Sequence, residues 1–289
     1  SIQRGIKKHS PYKITSLLLF YPTFYLTYCF SALRQGLIMT IFIGFGLDYL
    51  LEKKYFKYYC LIAVLILFHK SSFVLLFLPI ALHFKDYKIE KYLIFAVILG
   101  IVFGYTGILN RVASLIGITS YLEVSVSIMA ILLRSILFFV IYKLHKINVQ
   151  SRIKLSHEDL KEDILYYIYM IGYSIFLSLA FAGTLSQRLT MPIKAIEIIL
   201  LPILLYNVKK LKGTNKFTII KIGKLRMLFL MLLIICMVNV ETIKNIDSYI
   251  EQGNYYAWVN PVNYPYSNIF NKKYIMNYIP YFNGQIDEH

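Results

Sequence analysis

Three pairs of residues in this sequence combine reactive chemistry with an unusual setting. Arg34 and Gln35 end one apolar run, His69 and Lys70 end another, and Gln187 and Arg188 end a third. Arginine is always charged, and its planar fork of donors matches phosphate. Imidazole titrates near neutrality and can take a proton from a hydroxyl. A charge at the centre of a bilayer costs at least about 2.5–3.5 kcal/mol on insertion scales. Several at one level therefore call for a compensating ligand. Arg34, His69 and Arg188 predict a cationic cavity, open to the outside, for a phosphate-bearing or otherwise anionic lipid. A single arginine of this kind would otherwise snorkel to headgroups.

The surrounding composition gives these residues a membrane to sit in. The chain has 289 residues, of which 58% are hydrophobic, against about 45–50% for a soluble domain. Several apolar runs approach the roughly 20 residues that cross a bilayer. The expected architecture is all-α: a polytopic membrane helix bundle of about seven to nine transmembrane segments. One integral membrane domain is expected over 1–289, ending in an aromatic, extracytoplasmic tail over 247–289. The net charge of +16 falls in short lysine clusters between the runs. That follows the positive-inside rule and argues for the cytoplasmic membrane and lipid contact, with no nucleic acid. Cys29, Cys60 and Cys236 lie within apolar runs and read as packing residues. Ser1 stands where a Met would begin a chain, and 3–13 reads as a loop between spans, so an N-terminally incomplete chain is expected.

The expected spans are 14–33, kinked at Pro22, and 36–51, with Arg34 and Gln35 at the exit between them. Residues 58–84 fit either one long helix or two short ones. A break at His69 keeps Lys53, Lys54 and Lys57 on the same side as Lys85, Lys88 and Lys91, which favours a broken or re-entrant helix there. Residues 92–109 carry Gly100 and Gly104 in a close-packing pattern. Residues 124–142 place Arg134 within the bilayer, and 143–163 form a mixed-charge cytoplasmic loop with room for a short surface helix. Residues 164–185 exit at Gln187 and Arg188, 191–208 return, and 227–243 lead to the tail. The cations outside or at depth are then Arg34, Lys70, Arg111, Arg134, Arg188, Lys194, Lys244, Lys272 and Lys273.

The segments Ser31-Ala32-Leu33-Arg34-Gln35-Gly36, Lys53-Lys54-Tyr55-Phe56-Lys57 and Leu67-Phe68-His69-Lys70-Ser71-Ser72 resemble the EpsG family of Wzy-like exopolysaccharide polymerases. Leu185-Ser186-Gln187-Arg188-Leu189 resembles that family's later arginine motif. Asn263-Tyr264-Pro265-Tyr266 resembles its ending. The resemblance runs through nearly the whole chain in order. It implies a bacterial membrane glycosyltransferase acting on undecaprenyl-diphosphate-linked oligosaccharide repeat units, in capsule or exopolysaccharide synthesis. Chain-length regulators and flippases are the protein partners it implies.

On that resemblance the catalytic group is Arg34, His69 and Arg188. The arginines stabilise the leaving diphosphate, with Arg111 next to them, and His69 serves the acceptor hydroxyl. Gln35, Lys70 and Gln187 fall to substrate binding, with Glu123 and Glu197 as alternative bases; Glu197 can equally pair with Lys194 on one helical face. No cofactor and no metal are expected, since no DxD-like acidic cluster is visible. Two other classes remain open: an O-antigen-ligase-type transferase or membrane acyltransferase, and a non-enzymatic transporter of lipid-linked sugars. A transporter should show matched broken segments, and the sequence displays one.

Overall fold

The structure, a computed structural model, describes residues 1–25, 33–83, 90–106, 111, 128–152, 157–211, 240 and 243. No β-strand occurs among the described residues. The chain divides into two compact units, 1–238 and 239–289. All helices below belong to the first unit. The expected tail, 247–289, lies outside the described residues.

Helix α1 (Ile2–His9) buries Gly5, Ile6 and His9 and exposes Arg4, Lys7 and Lys8. This segment was expected as a loop. Its apolar residues recur at helical spacing, which gives one face something to pack on. Helix α2 (Lys13–Phe20) passes into wider π turns over 21–25, where Pro22 cannot supply an α-helical N–H.

Helix α3 (Leu33–Ile41), a π-helical segment (Phe42–Gly46) and α4 (Leu47–Leu51) form one continuous rod. Arg34 and Gln35 therefore lie within a helix rather than in a connection. Helix α1 lies directly on the π segment. A Cβ on Gly44 would stand 2.5 Å from the Ser1 carbonyl oxygen, and one on Gly5 would stand 2.5 Å from that of Ile43. Only glycine allows that approach.

Helix α5 (Tyr55–Phe68), a 3-10 helix (Lys70–Phe77) and α6 (Leu78–His83) follow. Next come α7 (Glu90–Thr106), α8 (Ile128–Ser151) and α9 (His157–Ser178). The last two are α10 (Gly183–Lys194) and α11 (Glu197–Leu211). Gly100 of α7 faces α9, where a Cβ would stand 2.7 Å from the Leu177 carbonyl oxygen. Ser178 Oγ donates to the Ala96 carbonyl at 3.1 Å across the same contact. In α11, Ile198, Ile199, Leu200, Leu201 and Leu204 are all buried. A helix apolar all round belongs at the centre of a bundle.

Among the described residues, α8 is long and apolar enough to cross a membrane: it has 24 residues, and an 18-residue stretch of it has a mean hydropathy of 1.8. Helices α10 and α11 make a second such span if counted together across a bend of 46°. The described residues thus display an all-helical protein without displaying seven to nine spans. Helix α8 also runs past the expected span end at Tyr142. The anticipated 143–163 loop is largely the last turns of α8 and the first turns of α9.

Candidate functional site

The site begins with the interruption at His69. Helix α5 stops at Phe68, and His69 is extended, with φ −159 and ψ 122. Tyr58 donates its hydroxyl to the Leu75 carbonyl at 2.7 Å. A single helix would separate those two residues by about 25 Å. The chain therefore doubles back at His69 as a helical hairpin. Ser72, fully buried, donates to the Leu65 carbonyl at 3.3 Å and ties the tip of the hairpin.

Helix α10 packs against both α3 and the 3-10 helix, and this brings distant residues together. Gln35 is buried, and its Nε2 lies 3.1 Å from His69 Nε2. An amide nitrogen carries only donors, so His69 Nε2 accepts in this arrangement. The positive charges of Arg188 and Arg34 both act on His69. Arg34 is exposed and Arg188 half-buried, while Lys70 and Gln187 are exposed. Arg188 was expected in a turn between spans; it lies within α10 instead. The turn comes earlier, at Leu179–Ala182, because α9 already ends at Ser178.

The remaining predicted residues are placed differently. Arg111 is exposed, and Glu123 lies outside the described residues. Lys194 and Glu197 are buried on either side of a helix break at Ala195 and Ile196. They do not share one continuous helical face. The break was not expected; Pro192 and Pro202 flank it, and each removes a helical N–H. The backbone there tightens instead, with Ile196 and Ile198 donating three residues back to Ile193 and Ala195.

Three polar contacts were not legible in the sequence. Arg134 donates to Thr190 Oγ1 at 3.1 Å and stacks 4.0 Å over the Phe176 ring, which fixes α10 against α8 and α9. Buried Asp48 accepts from Arg4 at 3.0 Å, Lys8 at 2.9 Å and His9 at 2.6 Å. Fully buried Glu162 accepts from His145 Nδ1 at 2.9 Å and from Asn148 at 3.2 Å. His145, Glu162 and Asp163 bring possible metal-ligand atoms within 4.8 Å of one another. No such cluster was visible in the sequence. The guanidinium of Arg152 stands on it, 3.2 Å from Glu162 and 2.7 Å from Asp163. With its cation supplied by the chain, the cluster reads as an ion-pair node joining α8 to α9.

Helices gathered around a charged, doubled-back hairpin define a membrane-associated helical protein with a polar site between α3, α5 and α10. The chain belongs to the EpsG family, whose model matches residues 2–250. This is the family of exopolysaccharide and Wzy-like polymerases, so the protein takes part in exopolysaccharide biosynthesis. Comparison with curated proteins and with solved structures gives no match.

Proposed function

We propose that this chain is a polysaccharide polymerase, a glycosyltransferase joining undecaprenyl-diphosphate-linked oligosaccharide repeat units at the outer face of the cytoplasmic membrane. The observation that carries the reading is the Gln35–His69 contact under the charges of Arg34 and Arg188. A hydroxyl on the acceptor's end sugar attacks the anomeric carbon of the sugar that links the growing chain to its lipid. The new C–O bond forms as the bond to the diphosphate breaks, and the diphosphate leaves with the electron pair. Fixed guanidinium groups lower the barrier where that charge develops, which is the role of Arg34 and Arg188. His69 takes the hydroxyl proton on Nε2 once the hydroxyl displaces the Gln35 amide. Exposed Lys70 and Gln187 belong to the rim that holds sugar and phosphate. Arg111, Glu123 and Glu197 are further candidates from the sequence for substrate contact.

One observation favours a second reading. The chain has breaks at both His69 and Ala195–Ile196, and discontinuous helices are a feature of transporters. Purified protein in liposomes, supplied with lipid-linked repeats alone and then with a second acceptor beside them, decides among the readings. Lengthened chains support the polymerase. Repeats that cross the bilayer without lengthening support the transporter. Attachment to a different acceptor without lengthening supports a ligase-type transferase.

A further inference from the structure

Away from the hairpin tip, a cavity of about 220 Å³ opens between α1, α9 and α11. Lys8, His9, Ser10, Glu158, Lys161 and Asn207 contribute its polar lining. These lysines belong to the clusters that the sequence puts on the cytoplasmic side. We propose that this cavity binds one phosphate group, from a lipid headgroup or from free phosphate, with Lys161 as its principal cation.

The charge inventory singles out Lys161. Lys8 is already engaged, 2.9 Å from Asp48 and 3.1 Å from Glu52. His9 Nε2 donates to Asp48 at 2.6 Å. Lys161 donates one N–H to the His9 carbonyl at 3.1 Å, out of the three that an ammonium carries. Burial, reinforced by the charge of Lys8, holds Lys161 below the usual lysine range, while Glu158 acts in the opposite sense. An anion in the cavity would relieve that cost of burial. Lys161 and Glu158 also lie in the opening turns of α9, a helix of 22 residues.

Other ligand classes fit less well. Two lysines disfavour a metal cation, and the polar lining disfavours an apolar ligand. Glu158 keeps the site from being a generic cationic surface and makes its strength tunable. The inference does not depend on the polymerase reading, since none of these residues belongs to the His69 group.

The test uses the full chain in a maltoside detergent, which carries no phosphate. One arm titrates inorganic phosphate; the other adds phosphatidylglycerol in phosphate-free buffer. Thermal stability reports binding. A rise in the first arm identifies free phosphate as the ligand, and a rise in the second alone identifies a lipid headgroup. Lys161→Gln should weaken the response about tenfold, Lys161→Arg should keep it, and Glu158→Gln should strengthen it. If Lys161→Gln fails to fold, Glu158→Gln decides alone, because a misfolded protein does not bind more tightly. The proposal is overturned if neither arm shifts the wild type, or if the folded variants respond as the wild type does.

Discussion

Gln35 Nε2 stands 3.1 Å from His69 Nε2, across 34 positions of sequence. The contact joins α3 to the tip of the hairpin. The orientation of the imidazole thus depends on an amide carried by a different helix, one residue from Arg34.

That dependence has a kinetic signature. His69→Ala should lower the rate of chain extension by about 10²–10⁴, and Gln35→Ala by a smaller factor. The double variant should be no slower than His69→Ala, because residues acting as a unit are not additive. Initial rates on purified lipid-linked repeats measure this. A full second loss in the double variant would show that Gln35 acts elsewhere.

Arg34→Ala and Arg188→Ala should each cost about 10²–10³ in turnover, the range for removing one donor that stabilises developing charge. Single repeats should accumulate on lipid while protein levels in the membrane stay unchanged. Lysine substitutions should recover only part of the rate, because an ammonium lacks the planar fork. Wild-type chain lengths in both alanine variants would remove these arginines from the mechanism.

The hairpin itself can be weakened without touching the chemistry. Tyr58→Phe deletes the hydroxyl that reaches Leu75, which also accepts the Leu78 N–H. The carbonyl keeps one partner, so the loss should be about 0.5–1.5 kcal/mol. A lowered melting temperature in detergent would show it, and an unchanged one would mean that packing alone closes the hairpin.

Glycine is required where α1 meets the π segment. Gly44→Val forces a side chain against the Ser1 backbone and should cost about 1–3 kcal/mol, as overpacking does. Faster proteolysis near the first residues would accompany the loss. Equal protection in variant and wild type would argue against the contact.

His9 lies outside the membrane-spanning segments, and burial chiefly holds it below its ordinary value of 6.5. The folded state therefore keeps it neutral while the unfolded state takes up a proton more readily. Its contribution to stability is present above about pH 6.5 and is lost as pH falls below that. His9→Gln retains a donor for Asp48 and should flatten the acid limb of stability against pH. An identical acid limb in the variant would assign that limb to other groups.

What the sequence revealed was local. Charges at the ends of apolar runs mark Arg34, His69 and Arg188, and clustered lysines around 58–84 favour a break at His69. Neither signal depends on knowing which helices are neighbours. The second break was hidden because Lys194 and Glu197, three residues apart, fit one face of an unbroken helix, and many helices keep prolines such as Pro192 and Pro202 without breaking. Asp48 and Glu162 were hidden for a different reason. Their partners include residues far along the chain, Arg4 for one and Asn207 for the other, and a single sequence carries no record of pairing. Arg188 was placed one element too early because an apolar run does not show where one helix ends and the next starts.

The π segment at Phe42–Gly46 gives the rod from Leu33 to Leu51 a tolerance found nowhere else along it. In an α-helix, losing one residue rotates everything beyond it by about 100°, which would swing Arg34 and Gln35 away from His69. A π turn already holds surplus backbone. A one-residue deletion there can be absorbed by tightening to α geometry, leaving both ends in phase. Among relatives of this chain, changes of length within the rod should therefore collect at 42–46, and the interval between the arginine–glutamine pair and Asp48 should be free to vary by one residue without loss of activity.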